Sequence, residues 1–123
     1  MILHHLHLNV RDRARSEAFY QRWFGLQLDR RTDALSFLLD TQNFLLVLKQ
    51  DPAPEPLPDW FHFGFPQPDG ETVARRFAEM VAAGVPVVQP YVVQDSITAC
   101  RLADPDGHVF ELYWLPLGHR SAV

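Results

Sequence analysis

Two copies of one pattern fill most of this 123-residue chain. His5 lies 20 residues before Gly25, and His62 lies 22 residues before Gly84. Farther along, the run 40–48 parallels the run 104–112, and each run begins with an aspartate and ends in an apolar stretch. A repeat of about 55–60 residues that occurs only twice is too long and too few for a solenoid. The sequence therefore predicts a duplicated supersecondary unit.

Alternation and capping signals predict the order β-α-β-β-β in the first half. Residues 3–10 alternate apolar and polar side chains with a period of two, which is typical of a strand. Asp12 can cap a helix over residues 13–24, and Gly25 suits the left-handed conformation that ends a helix. Three short apolar runs, 26–28, 34–39 and 44–48, then predict strands separated by turns.

The same order returns after a proline-rich connector, residues 51–58, which neither a helix nor a central strand tolerates. Residues 60–65 predict a strand, and Asp69 can cap a helix that Gly84 ends. Residues 85–93 contain two prolines and predict an edge strand, whereas 98–103 and 109–114 predict strands joined by the turn 104–107.

These patterns predict an α+β fold of two fused βαβββ modules whose curled, mostly antiparallel sheets form cups. The modules are expected over about residues 1–50 and 59–115, as one domain that spans residues 1–123. Most aromatic residues, Trp60 among them, are expected in the core. Cys100 is expected there too, as a small apolar residue.

Composition restricts the partners. The apolar fraction is 47%, as in a folded globule, and the net charge is −4 with scattered basic residues, which gives no electrostatic case for nucleic acid or a membrane surface. A single cysteine forms no internal disulfide. The sequence shows neither a signal peptide nor an apolar run of the roughly 20 residues that span a bilayer, so a cytoplasmic location is expected.

Several short motifs, in this order and spacing, resemble the superfamily of glyoxalase I, fosfomycin-resistance proteins, bleomycin-resistance proteins and extradiol dioxygenases, often called vicinal-oxygen-chelate proteins. The motifs are His-Leu-His-Leu-Asn-Val from His5, His-Phe-Gly-Phe from His62, and Asp-Pro-Asp-Gly-His-Val-Phe-Glu-Leu around Glu111, and the match covers about residues 2–115. In that superfamily, paired modules curl their strands around a metal or ligand, and the metal ligands sit on the first and last strands of a module.

Carried over to matching positions, the resemblance implies that His5, His62 and Glu111 bind a divalent metal ion and that Glu111 belongs to the catalytic centre. The position of a second carboxylate in glyoxalase I falls on or beside Val47, which cannot coordinate. Two imidazoles and one carboxylate leave coordination positions open. Such a set suits Fe(II), which we favour, and also Mn, Ni or Zn.

Two further residues are candidates for substrate binding. Arg101 stands ten residues before Glu111, where ring-cleaving dioxygenases and fosfomycin-resistance proteins often have a tyrosine. Its guanidinium can bind a carboxylate or phosphate, although a surface arginine is the alternative interpretation. His7 shares a strand face with His5 and could line the cup. The other histidines are interpreted as structural or solvent-facing: His4, His108 and His119.

Three functions stay open. The first is a metal-dependent enzyme acting on a small oxygen-rich substrate that chelates the metal; the three ligands favour ring-cleaving dioxygenase chemistry, and the missing tyrosine favours a glyoxalase-like isomerase or lyase. The second is a non-catalytic, antibiotic-binding protein of the bleomycin-resistance type, which would not need the three ligands. The third is a fosfomycin-type thiol transferase, for which only Ser96, Thr98 and Arg101 are available as phosphonate contacts.

Single-length members of the superfamily usually assemble as homodimers in which modules of both chains complete each cup. The resemblance therefore implies a homodimer with a shared site. In it, His5 of one chain would meet His62 and Glu111 of the other.

Overall fold

The computed structural model describes residues 1–94 and 96–116, which form two compact units, Met1–Pro56 and a second that begins at Leu57. His119 lies outside the described residues. The elements of the first unit are β1 (His5–Val10), α1 (Arg13–Phe24), β2 (Gln27–Arg31), β3 (Leu35–Leu39) and β4 (Leu45–Gln50). The elements of the second are β5 (Phe63–Pro66), α2 (Gly70–Ala82), β6 (Val87–Gln94), β7 (Ile97–Ala103) and β8 (Val109–Trp114). The predicted α+β fold of two βαβββ modules is confirmed.

Each unit has one four-stranded mixed sheet, and the two sheets have the same topology. The strand orders are β1-β4-β3-β2 and β5-β8-β7-β6. The first and last strands of each unit, β1 with β4 and β5 with β8, pair in parallel, and all other pairs are antiparallel. The proline-containing β6 lies at an edge, as its sequence predicted, because a central strand would need the amide hydrogens that proline lacks.

The predicted helix caps are present in both units. The Asp12 side chain accepts from Arg15 N at 3.1 Å, and the Asp69 side chain accepts from Thr72 N at 2.7 Å. Gly25 caps the end of α1 with a φ of 66°. Helix α2 ends at Ala82, and its chain turns through Gly84 with a φ of 86°. No helix in the described part of the chain is long and apolar enough to cross a membrane.

The β3–β4 and β7–β8 turns are built alike. Asp40 Oδ1 accepts from two backbone amides of the first turn, both at 2.8 Å, and Asp104 Oδ1 accepts from two amides of the second, both at 2.9 Å. The fourth turn residue has a left-handed backbone in each case, Asn43 with a φ of 66° and Gly107 with 88°. The duplication therefore extends to the details of the turns.

A buried carboxylate joins α1 to its sheet. Glu17 is only 4% exposed and accepts two hydrogen bonds from Arg31, at 3.0 and 2.5 Å, together with one from Ser36 Oγ. The hydrogen bond from Arg31 lowers the pKa of Glu17, burial acts in the opposite direction, and the Ser36 bond lowers the pKa further. Three elements, α1, β2 and β3, are thereby held together.

The start of the second unit differs from the prediction. The strand expected over 60–65 begins only at Phe63, because Phe61 N donates to Pro58 O at 2.9 Å and closes a turn there. Trp60 is 74% exposed, so its expected core position is wrong. Cys100 is fully buried, as predicted.

Candidate functional site

The strand β8 presents its polar side chains on the face of its sheet that α2 does not cover. Phe110 and Leu112, 0% and 1% exposed, belong to the core on which α2 packs. Successive strand residues point to opposite faces, so Glu111 and Tyr113 share the other face. We call the face of the second sheet that carries Glu111 and Tyr113 the open face.

Arg101 lies on the same open face and binds Glu111. The two residues are register partners across β7 and β8, and Arg101 Nε donates to Glu111 Oε2 at 3.2 Å. Their side chains are 31% and 17% exposed respectively. This placement makes Arg101 the immediate neighbour of the predicted metal-binding carboxylate, and its role in substrate binding stays a prediction.

The ring of His62 is oriented by a backbone carbonyl. His62 Nδ1 lies 3.1 Å from Trp60 O, and because a carbonyl oxygen only accepts, Nδ1 carries the proton of the neutral ring. The lone pair is then on Nε2. A metal-binding histidine typically has its other nitrogen held in this way. His62 is followed two residues later by Gly64, the register partner of Glu111.

His5 and His7 lie in the first unit, on exposed positions of β1 that alternate with the buried Leu8 and Val10. His7 is the register partner of Val47, which is buried and whose aliphatic side chain cannot bind a metal ion. His5 packs edge-on against His4, with ring centroids 5.9 Å apart. The structure thus places His5 and His7 on the face of β1 opposite to the buried core residues.

A hydrogen-bonded chain orients His7. Asn9 Nδ2 donates to Asp51 Oδ2 at 3.3 Å, which fixes the amide so that Asn9 Oδ1 faces His7 Nε2 at 2.8 Å. Since Oδ1 only accepts, Nε2 carries the ring proton and the lone pair of the neutral ring is on Nδ1. The sequence alone did not predict these hydrogen bonds, because Asp51 was interpreted as the start of the connector and Asn9 as an ordinary strand residue.

Tyr113 is another residue that the sequence analysis did not single out. Burial raises the pKa of its hydroxyl, and the negative charge of Glu111 raises it further. The available signal was its position two residues after Glu111 on one strand, which puts both side chains on one face.

In the described part of the chain, residues 1–94 and 96–116, no three His, Cys, Asp or Glu side chains form a group that could hold a metal ion. The His5, His62 and Glu111 set stays a prediction. His62 and Glu111 belong to the second unit, and His5 belongs to the first.

A family model and many solved structures match this chain. The model described as "Glyoxalase/Bleomycin resistance protein/Dioxygenase superfamily" matches residues 2–112. A structure described as a possible glyoxalase from Bacillus cereus is 27% identical, covers 91% of this chain and 97% of its own, and has a TM-score of 0.78. No curated protein matches significantly.

Two more distant structures share the fold. The fosfomycin resistance protein FosX from Listeria monocytogenes is 23% identical over 95% of this chain and 97% of its own, with a TM-score of 0.79. A glyoxalase/bleomycin resistance protein/dioxygenase family enzyme from Burkholderia phytofirmans PsJN is 22% identical over 92% and 98%, with a TM-score of 0.79.

Proposed function

Because the chain belongs to the glyoxalase/bleomycin resistance protein/dioxygenase superfamily, we propose that it is a metal-dependent enzyme acting on a small substrate with two adjacent oxygen atoms. The proposed ligands are His5, His62 and Glu111. The ion is divalent, with Fe(II) favoured and Mn, Ni or Zn as the alternatives.

One observation carries this proposal more than any other. In the second unit, the His62 ring has its proton on Nδ1. His62 lies two residues before Gly64, which pairs with Glu111 across β5 and β8. Glu111 has one oxygen held by Arg101, whereas its Oε1 has no hydrogen-bond partner among the described residues. The donor chemistry of these two side chains therefore fits a divalent ion. When bound, such an ion would act as a Lewis acid towards the oxygen atoms of the substrate.

The chain's own residues have separate roles in this proposal. Glu111 and His62 hold the ion. Arg101 binds an anionic group of the substrate, and its bond to Glu111 sets the direction of its guanidinium. His7, oriented through Asn9, contacts the substrate from the first unit.

We propose further that two chains form a homodimer with the site shared, so that His5 of one chain joins His62 and Glu111 of its partner. Because the proposed ligands come from two chains, each ligand is tested in a variant of its own.

The metal content of protein purified without chelators tests the proposal. We expect stoichiometric metal in the wild type, and a loss of at least about tenfold in affinity for His5→Ala, His62→Ala and Glu111→Ala. His4→Ala is the matched control, because His4 is an exposed neighbour of His5, and it should keep the metal. A wild type that retains no metal after reconstitution with Fe(II), Mn, Ni and Zn would leave the non-catalytic binder as the better interpretation.

Mixed dimers test the sharing. When His5→Ala and Glu111→Ala chains are unfolded together and refolded, a two-fold dimer with shared sites regains one intact site in each mixed dimer, and thus about a quarter of the wild-type metal. Sites built within one chain would regain none. Oxygen consumption with a panel of catechols would then separate the dioxygenase from the isomerase or lyase.

A further inference from the structure

The edge strand β6 is irregular on both sides of Gln89. Val87 pairs with Leu102 and Gln89 pairs with Arg101, so β6 advances by two residues while β7 advances by one. This is the pattern of a β-bulge, in which one strand contains an extra residue. The register shifts again between Gln89 and Val92. The two shifts fix the position of a single glutamine against β7.

The first bulge turns Gln89 to the open face. Leu102 is buried and pairs with Phe110, so the Val87–Leu102 pair lies on the side of the sheet on which α2 packs. In a regular strand, residues two apart share a face, and Gln89 would lie on that side too. The extra residue places Gln89 opposite Arg101 instead, and directly opposite residues point to the same face. Bulges that re-aim a side chain in this way are frequent next to active sites.

Gln89, Arg101 and Glu111 form a polar row across three strands of the open face. Arg101 donates to Glu111 through Nε, and its terminal nitrogens Nη1 and Nη2 have no hydrogen-bond partner among the described residues. The exposed side-chain amide of Gln89 makes no hydrogen bond within residues 1–94 and 96–116 either. The guanidinium and the neighbouring amide therefore have donors available to a ligand.

We propose that Gln89 and Arg101 form a subsite for a carboxylate, so that the substrate carries a carboxylate in addition to the two oxygen atoms that bind the metal. This inference rests on the proposed function of the same site. The guanidinium supplies positive charge and two donor groups, and the amide of Gln89 supplies a third donor. A carboxylate has about four lone-pair positions and can accept from all three. Adjacent strands are about 4.8 Å apart, so one small molecule, such as a hydroxy dicarboxylic acid, can reach both this subsite and Glu111.

The experiment compares malate with lactate, which is malate without its second carboxylate. Both can bind a metal ion through a hydroxyl and a carboxylate oxygen, so only malate uses the subsite. Calorimetry gives the affinities for metal-reconstituted and metal-free wild type, Gln89→Ala and Gln89→Glu, and the metal content of each is measured. Gln94→Ala is the matched control, because Gln94 is an exposed glutamine of the same strand that pairs with Ile97 instead of Arg101.

We expect Gln89→Ala to bind malate about three- to tenfold more weakly than wild type, because one hydrogen bond to the ligand is lost. Gln89→Glu should bind malate at least about tenfold more weakly, because its carboxylate repels the ligand and occupies the Arg101 guanidinium. Lactate affinity and metal content should stay unchanged in Gln89→Ala, and Gln94→Ala should match wild type with both ligands. A merely structural role of Gln89 would weaken malate and lactate alike.

The outcomes distinguish this inference from the metal proposal. Retained metal with equal malate affinity in wild type and Gln89→Ala, or with malate bound no more tightly than lactate by wild type, overturns the subsite and leaves the metal site standing. Absent metal with the expected ranking of the variants for malate overturns the metal site and supports the subsite. Neither metal nor malate binding in the wild type overturns both.

Discussion

Arg101 and Glu111 face each other across β7 and β8, and the guanidinium Nε donates to the carboxylate Oε2 at 3.2 Å. The pair is partly buried, with 31% and 17% of the side chains exposed. A cation placed there both holds the carboxylate and adds positive charge to the open face. It would therefore affect the proposed metal binding and the proposed substrate binding in opposite ways.

Arg101→Met should separate these two effects. The variant loses a competitor for the Glu111 carboxylate, so its metal affinity should be unchanged or higher. Its affinity for 3,4-dihydroxybenzoate should fall about tenfold, since a charge-assisted hydrogen bond is lost, whereas affinity for uncharged catechol should hold. Arg101→Lys, which keeps the charge, is the control. Equal losses for both ligands in a calorimetric titration would argue against an anion-binding role.

Glu17→Gln should make the stability of the protein less dependent on pH. The native pKa of Glu17 is lowered, chiefly by Arg31, so its ionised form contributes stability above its ordinary pKa of 4.5, and this is lost as pH falls through the lower native value. At pH 7 we expect a loss of about 1–3 kcal/mol in the free energy of unfolding.

Urea unfolding of wild type and Glu17→Gln at pH 7 and pH 3 measures this difference. The difference in unfolding free energy between the two proteins should narrow at pH 3, because the stability that ionised Glu17 contributes is lost as the pH falls from 4.5 towards its lower native pKa. Glu79→Gln serves as the control, because its pair with Arg75 is exposed on α2 and should contribute little. A difference in unfolding free energy that stays constant with pH would contradict the assigned role of the Glu17 charge.

Gly107→Ala should destabilise the protein, whereas Gly70→Ala should not. Gly107 has a φ of 88° and nothing within 4 Å of an added Cβ, so alanine there costs about 1–2 kcal/mol through the backbone alone. Gly70 begins α2, and an added Cβ would meet Thr98 and Trp114 at an ordinary 3.5 Å. Alanine at Gly70 should be neutral or stabilise by up to about 1 kcal/mol. Thermal unfolding of both variants checks the signs.

Cys100 should be unreactive in the native protein. Burial is the main cause that raises the pKa of its thiol to about 11, and the charge of Glu111 adds to it. At pH 8 about one thiol in a thousand would be ionised, far fewer than for a free cysteine. Labelling by a disulfide reagent at pH 8 should therefore be at least about 100-fold slower in native than in urea-unfolded protein. Similar rates would show that the core around Cys100 opens readily.

Local patterns in the sequence predicted the elements well because the determinants are themselves local. Asp12 and Asp69 cap the helices they were expected to cap, and Gly25 ends α1. The start of β5 was placed too early, since aromatic composition alone does not reveal the turn that Pro58 and Phe61 close.

The candidate site could be predicted only in part. His62 and Glu111 were found through motif resemblance, and their place on one unit followed from the fold. The Arg101–Glu111 bond depends on which residues are paired across β7 and β8. The register of a sheet cannot be predicted from the sequence of one strand alone. A shift by one residue would turn each side chain to the other face.

The matched turns at Asp40 and Asp104 have an evolutionary consequence. Each half sets its own strand register with its own aspartate, so a change in the chemistry of one half leaves the framework of the other intact. Mutations can then change the two halves separately, and the halves do differ at matching positions, where His7 pairs with Val47 in the first and Gly64 pairs with Glu111 in the second. The second half can therefore carry an acidic side chain where the first half has Val47, without any change in the turn of either half.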